Sequence, residues 1–192
     1  MRHQLFSIDT ALLTQRCVVR RFREHDGRAF FKLLDNNRDY LIDHFPYLMA
    51  EAGKTRRGAE IFVRECIADW LLQRRYAMGV WSNETTDLIG FVQVFELNWQ
   101  VPSGELGFFI DRELIRQGIM TEVLARVVRF AFLQLDLQKL VIKTLVDNYA
   151  SQRLARRVGF SREGDLRGEY RLPSGTLVDL MRFGFVRETY GE

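Results

Sequence analysis

Apolar and polar positions recur along this chain with two periods, and the switch between them is sharpest from Glu105 to Glu122. Leu106-Gly107-Phe108-Phe109-Ile110 is an apolar run of the length expected for a strand in a buried sheet. Asp111 to Glu113 is a charged turn. After Arg116-Gln117-Gly118 the apolar residues fall at Ile119, Met120, Val123, Leu124, Val127 and Ala131, the spacing of a helix with one apolar face. A strand, a short loop with one glycine and a long helix leave free N–H groups at the helix start, where the dipole is positive. Such a junction suits an anion, most often phosphate. An ordinary strand-to-helix connection with a turn glycine has the same pattern.

The remaining pattern predicts a short strand at 17–22 and a helix with Ala29, Phe30, Leu33 and Leu34 on one face. Asp26 is placed to cap that helix, and Asn36-Asn37 to stop it. Residues 38–53 read as irregular but carry Tyr40, Leu41, Phe45, Pro46, Tyr47 and Leu48, either a cleft wall or a folded connection. A helix over 57–74 follows, with Ile61, Phe62, Cys66, Trp70 and Leu71 near one stripe. Runs 76–81 and 88–97 form a hairpin through a polar turn, and 99–103 is a second turn. Lys139 to Val146 is rich in β-branched residues and reads as a strand. A short helix over 151–158 stops at Gly159. The chain then runs irregularly from Phe160 to Leu172, turns at Pro173-Ser174-Gly175 and ends in a strand over 176–186. The strand-helix-strand unit over 105–146 implies a parallel crossover, while the hairpins are antiparallel. The sheet is therefore expected to be mixed.

Composition narrows the possibilities. At 192 residues, 47% hydrophobic and 28% charged, the chain is expected to form one domain, 1–192, with its core at about 14–186. The net charge of +3 is scattered, and Arg56-Arg57 and Arg74-Arg75 read as solvated helix ends rather than a nucleic-acid stripe. Cys17 and Cys66 lie far apart without metal-ligand spacing, which suits a reduced, cytoplasmic chain. Residues 1–10 lack an apolar signal core, and no run approaches the ~18 apolar residues of a membrane span. His3, His25 and His44 are too dispersed to suggest a metal site. No Gly-Lys-Ser/Thr follows the loop, and the glycines do not fall as GxGxxG, so neither nucleotide fingerprint is present.

Taken together, Glu105 to Ile110, the RQGIMTE turn and DNYASQRLARRVGFSREG at 147–164 resemble the GNAT superfamily of N-acetyltransferases. The resemblance is strongest to the RimJ/RimL-like branch that acetylates N-terminal amines of ribosomal proteins. It spans roughly residues 14–186. Its most specific part is Asn148, Ser151, Gly159-Phe160 and Glu163-Gly164 at their observed spacing. The resemblance implies an α/β (α+β) fold: a mixed sheet of about seven strands and about four helices, with two splayed parallel strands forming the acetyl-CoA cleft. It implies that the pantetheine arm pairs with the backbone of Phe109 and Ile110. The diphosphate would meet the amides of residues 116–121, namely Arg116, Gln117, Gly118, Ile119, Met120 and Thr121. Arg116 is placed to add charge, and Asn148 to bond the pantetheine. The family's loop pattern is Gln or Arg, two residues, Gly, one residue, then Gly or Ala. Aligned on Gly118, this chain departs from it with Ile115 in the first slot and Met120 in the last.

The resemblance also implies chemical roles. Glu169 matches the branch's general base, and Ser151 its donor to the departing sulfur, with Tyr170 as rival donor. The N–H of Phe109 or Ile110 would hold the oxyanion. A base is needed modestly for an α-amine, whose pKa of about 7.7–8.0 leaves up to about a fifth neutral at pH 7. A lysine, at about 10.4, costs about 4–5 kcal/mol to deprotonate. The implied reaction is direct attack by a primary amine in a ternary complex, without metal. The acceptor is read as a protein N-terminal α-amine, with a ribosomal protein as possible partner. The alternatives are a small-molecule amine, such as a polyamine or antibiotic, or a non-catalytic acyl-CoA-binding module. No nucleic-acid or membrane partner is expected, and the chain is read as a monomer or homodimer.

Overall fold

The computed structural model describes residues 8–191. Strands β1 (Ala11–Leu13) and β2 (Cys17–Arg21) lead into helices α1 (Gly27–Asn36), α2 (Arg38–Leu41), α3 (Pro46–Glu51) and α4 (Arg56–Leu71). Strands β3 (Tyr76–Ser82), β4 (Leu88–Asn98) and β5 (Ser103–Ile110) follow as a meander. Helix α5 (Ile119–Leu133) crosses to β6 (Lys139–Leu145), α6 (Tyr149–Arg157) follows, and the hairpin β7 (Ser161–Arg171) and β8 (Leu177–Val186) ends the fold. The sheet order is β1-β2-β3-β4-β5-β6-β8-β7. Every neighbouring pair is antiparallel except β5 and β6. This is the mixed α/β sheet anticipated from the crossover, one strand and two short helices richer.

Two cores flank the sheet. On one side α5 buries Val123, Leu124, Val127, Phe130 and Ala131 with Val92, Val94, Leu106, Leu140, Ile142 and Phe183. On the other, α1 and α4 cover an aromatic cluster. Phe30 lies 5.4 Å from Phe62 and 5.5 Å from Phe91, and Phe91 lies 5.7 Å from Phe109. Burying each such ring is worth about 1.5–3 kcal/mol. This cluster ties the helices to the centre of the sheet, where β4 meets β5.

Three expectations change. Residues 38–53 are not irregular: they form α2 and α3, and bury Leu41, Leu48 and Met49. These helices are too short to show a period. The 160–172 segment is a full edge strand, β7. It lacks an apolar signature because nearly all of it is exposed, and it is held through its ladder to β8 with register shifts at Arg162/Gly164 and Leu166/Tyr170. Charged edge strands of this kind resist further pairing.

Asp26 is the third. It makes no side-chain cap, because its carboxylate accepts from Arg20 at 2.8 and 3.1 Å and from the Arg23 N–H. Glu60 of α4 supplies the missing acceptor, taking the N–H groups of His25 and Gly27 at 3.2 Å each.

This contact yields a test. Replacing a helical glycine with alanine ordinarily stabilises by about 0.5–1 kcal/mol. A Cβ on Gly27, however, would lie 2.5 Å from the Glu60 Cα and 2.5 Å from its Oε2. We expect Gly27→Ala to destabilise by about 1–3 kcal/mol in urea denaturation. A raised midpoint would mean that α1 and α4 separate freely.

Candidate active site

The site begins where β5 and β6 part. They pair only at Ser103↔Lys139, Gly104↔Leu140 and Glu105↔Val141. Beyond that, β5 stays with β4 as far as Ile110↔Gly90, and β6 stays with β8 as far as Leu145↔Leu180. The two inner edges therefore face an open wedge. The Asp111 N–H donates to the Ile89 carbonyl at 2.8 Å, which sets the phase of the β4–β5 ladder. Backbone groups alternate sides along a strand, so Phe109 faces β4, whereas Phe108 and Ile110 face the wedge. This corrects the expectation that Phe109 and Ile110 share the open edge. Side-chain periodicity does not reveal which parity is paired. An open strand edge is a template for an extended chain bearing amides.

Past Ile110, a turn leads to the start of α5. Gly118 is left-handed, with φ of 80°, and Arg116 is also left-handed at 64°. The Gly118 carbonyl accepts from the Thr121 and Glu122 N–H groups. Among the described residues, no backbone carbonyl takes the N–H of Gly118, Ile119 or Met120. These orphan donors at a helix N-terminus suit a phosphate group. Ile119 and Met120 bury their side chains in the core, so Met120 does not fill the mouth of the turn. Thr121 is half-buried, and Arg116 and Gln117 are exposed, as is Ile115 at 45%. Gln117 donates to the Glu113 carbonyl. Arg16, from the β1–β2 connection, braces the turn by donating to the Gln117 carbonyl at 2.8 Å and pairing with Glu122 at 2.7 Å.

A cavity of about 460 Å³ opens against residues 105–108 of β5 and 142–145 of β6. Asn148, Ser151, Glu169 and Tyr170 all line it, so residues from α6 and β7 converge there. Phe109, Ile110 and the 116–121 turn are not part of its lining. The open β5 edge connects the two places. Asn148, not Ser151, caps α6: its Oδ1 accepts the Ser151 N–H at 3.0 Å, and Ser151 sits in the first turn. Glu169 is exposed on β7.

The Tyr170 hydroxyl donates to the carbonyls of Asp43 and His44 at 3.3 and 3.2 Å, fastening β7 to the segment between α2 and α3. Burial pushes its pKa up to about 12. The two carbonyls share its one O–H proton, so the hydroxyl is already engaged in this structure.

Sequence reasoning missed three lining residues. Glu105 pairs with Lys143 at 3.0 Å across the root of the wedge. Burial raises its pKa, and Lys143 offsets this only in part. His44 also faces the cavity, and burial lowers its pKa against the opposing pull of Asp147 and Asp43. Gln93 of β4 lies opposite Gly107. The odd, polar position of Glu105 and Gln93 inside apolar strands was the available signal. Among the described residues no group of three His, Cys, Asp or Glu is placed to hold a metal ion, and no helix is long and apolar enough to cross a membrane. His3 lies outside the described residues.

Comparison with known proteins places this geometry. The model of the acetyltransferase (GNAT) domain matches residues 16–161. The ribosomal-protein-serine acetyltransferase of Escherichia coli is 24% identical, covering 83% of this chain and 87% of its own. The spermidine N(1)-acetyltransferase of Vibrio cholerae is 25% identical, covering 87% and 91%. The structure of Mycobacterium smegmatis RimJ in complex with CoA-disulfide superposes with a TM-score of 0.87 at 15% identity, covering 100% of this chain and 93% of that one. The match over residues 16–161, together with the shared fold, shows that the chain belongs to the GNAT acetyltransferase family.

Proposed function

We propose that this N-acetyltransferase moves an acetyl group from acetyl-CoA to the α-amine at a protein N-terminus. The observation that carries the reading is that Ser151 and Glu169, from separate elements, line one cavity beside the unpaired β5 edge. The chain's own groups fit the donor. The backbone of Phe108 and Ile110 is free to pair with the pantetheine amides. The N–H groups of residues 118–120 are free for the diphosphate, and Arg116 lies beside them. Asn148 has its Oδ1 engaged as the α6 cap, which directs its amide nitrogen to the pantetheine role.

Bound acetyl-CoA supplies the thioester. The exposed Glu169 carboxylate takes the proton from the attacking amine, and the Ser151 hydroxyl gives a hydrogen bond or proton to the sulfur as the C–S bond breaks. The Ile110 or Phe108 N–H meets the oxygen on which charge develops.

The choice of acceptor rests on charge and shape. The cavity lining holds Glu51, Glu105 and Glu169 against Arg75 and Lys143, and Lys143 already pairs with Glu105. That near balance suits one amine better than a polycation. Tyr40, Phe45 and Tyr47 form an aromatic wall beside it. A single exposed carboxylate base also matches an α-amine that is already partly neutral. The relative named for ribosomal-protein serine supports this reading, and the relative named for spermidine supports the second, a small-molecule amine. The reading places the protein in the cytoplasm, with ribosomal proteins as the first partners to try.

Acetyl-CoA should bind with a dissociation constant in the micromolar range and raise the Tm. At a hundredfold excess over Kd the gain is about 2.7 kcal/mol. No thermal shift and no heat of binding at saturation would remove the donor site. Glu169→Gln should lower kcat by roughly ten- to a thousandfold while the coenzyme-induced shift stays unchanged. Wild-type turnover in that variant would take Glu169 out of the reaction.

For the acceptor, two matched peptides decide. One has a free N-terminus and no lysine, and the other is blocked and carries a lysine. We expect labelling of the first alone. Labelling only of the blocked peptide would overturn the α-amine reading, and labelling of neither, with spermidine consumed, would establish the second.

A further inference from the structure

We propose that the side-chain amide of Gln93 reads the first peptide unit of the acceptor, and so selects a peptidyl α-amine over an amine that lacks a neighbouring carbonyl. The inference rests on the N-terminal reading above and adds the residue that sets it.

Gln93 stands in the middle of β4, opposite Gly107 of β5, at the floor of the cavity. Its Oε1 is buried and has no hydrogen-bond partner among the described residues. Two other buried side-chain atoms share that condition, Nε1 of Trp81 and Oε2 of Glu122, and neither residue lines this cavity. Buried polar atoms in native proteins are nearly always paired, so an unpaired one on a residue that lines a cavity is open to a partner supplied from that cavity, a ligand group or a water. The space around the amide is kept open by glycine. A Cβ on Gly107 would lie 3.1 Å from the Gln93 Nε2 and 3.3 Å from the Phe95 ring. Phe91, Phe95 and Phe45 line the same cavity, and apolar surroundings strengthen a hydrogen bond made among them.

Two of the cavity's polar neighbours and its arginine are already engaged, Arg75 by Asp69. Lys143 is engaged by Glu105, and the Tyr170 hydroxyl by the carbonyls of Asp43 and His44.

An amide side chain presents one acceptor and one donor side by side. Its complement is a group with an N–H next to a C=O, which is what the first residue of a peptide offers through its amine and its carbonyl. A polyamine offers donors only. It could meet Oε1 but would leave Nε2 unanswered. A carboxylate at position 93 would invert that preference.

The test compares wild type with Gln93→Met and Gln93→Glu. Three acceptors are used: a tripeptide with a free N-terminus, the same tripeptide with its first carbonyl reduced to CH2, and spermidine. Gln93→Met should lower kcat/KM for the tripeptide by roughly ten- to a hundredfold, the scale of one buried hydrogen bond. It should lower the reduced analogue by a smaller factor, because that acceptor keeps only the amine contact to Oε1. Gln93→Glu should shift preference toward the reduced analogue and spermidine. Without substrates, Gln93→Met should hold or raise the Tm, because it removes an unpaired polar group. In both variants the acetyl-CoA thermal shift should match wild type.

Tripeptide kcat/KM that is indifferent to Gln93→Met overturns this inference alone, as does an equal loss on tripeptide and reduced analogue. A fall of several degrees in the Tm of Gln93→Met would assign the amide a structural partner and overturn it as well. Wild type that acetylates spermidine and no peptide overturns the N-terminal reading, and this inference with it.

Discussion

The structure depends on a parallel pairing that stops early. β5 and β6 share three register positions and then diverge. Two parallel strands would ordinarily zip to their ends, because every unpaired N–H and C=O in a buried sheet is costly. Here each strand is held instead by its outer partner, β5 by β4 and β6 by β8. The aromatic cluster under α1 and α4 and the aliphatic core under α5 grip the sheet from opposite faces. At the root of the wedge Glu105, at the last paired position, bridges to Lys143 of β6. At the far end of β6 the buried Gln152 donates to the Val146 carbonyl, so that strand's exit is satisfied without β5. The wedge is thus a built opening, and the polar edge it exposes is what an extended amide chain can use.

The charges beside the wedge show how burial and pairing compete. Burial pushes the Glu105 carboxyl up, and the ion pair with Lys143 does not bring it back. Burial also pushes Glu163 up, but Lys139 and Arg182 together outweigh it and hold that carboxyl below its ordinary value. The more buried acid, with one ion pair, is shifted up, and the less buried acid, with two, is shifted down. Glu163, which belongs to the most specific part of the family resemblance, therefore works as a tie between β7, β8 and β6. The space it needs is left by Gly184, where a Cβ would meet the Glu163 carboxylate at 2.2 Å.

Apolar runs, β-branched content and helical spacing were enough to read β5, β6 and α5, because each of these buries one or both faces and burial writes itself into residue choice. The residues that converge on the cavity from α6 and β7, Asn148, Ser151, Glu169 and Tyr170, came from the resemblance, and each sits in its lining. Elements that bury little were illegible. β7 is an exposed edge strand, and α2 and α3 are shorter than two helical turns.

Tertiary structure decided what depends on partners distant in the chain. Glu60, not Asp26, takes the free N–H groups at α1, because Arg20 reaches Asp26 first. Tyr170 engages its hydroxyl with the Asp43 and His44 carbonyls, more than a hundred residues away, and so ties β7 to the segment between α2 and α3. The choice of Phe108 over Phe109 for the open edge follows from one hydrogen bond, Asp111 to Ile89, that sets the ladder's phase. Side-chain patterning reports which face of a strand is buried. It does not report which edge is paired or which distant group reaches a polar atom first, since hydrogen bonds across the fold leave no period in the sequence.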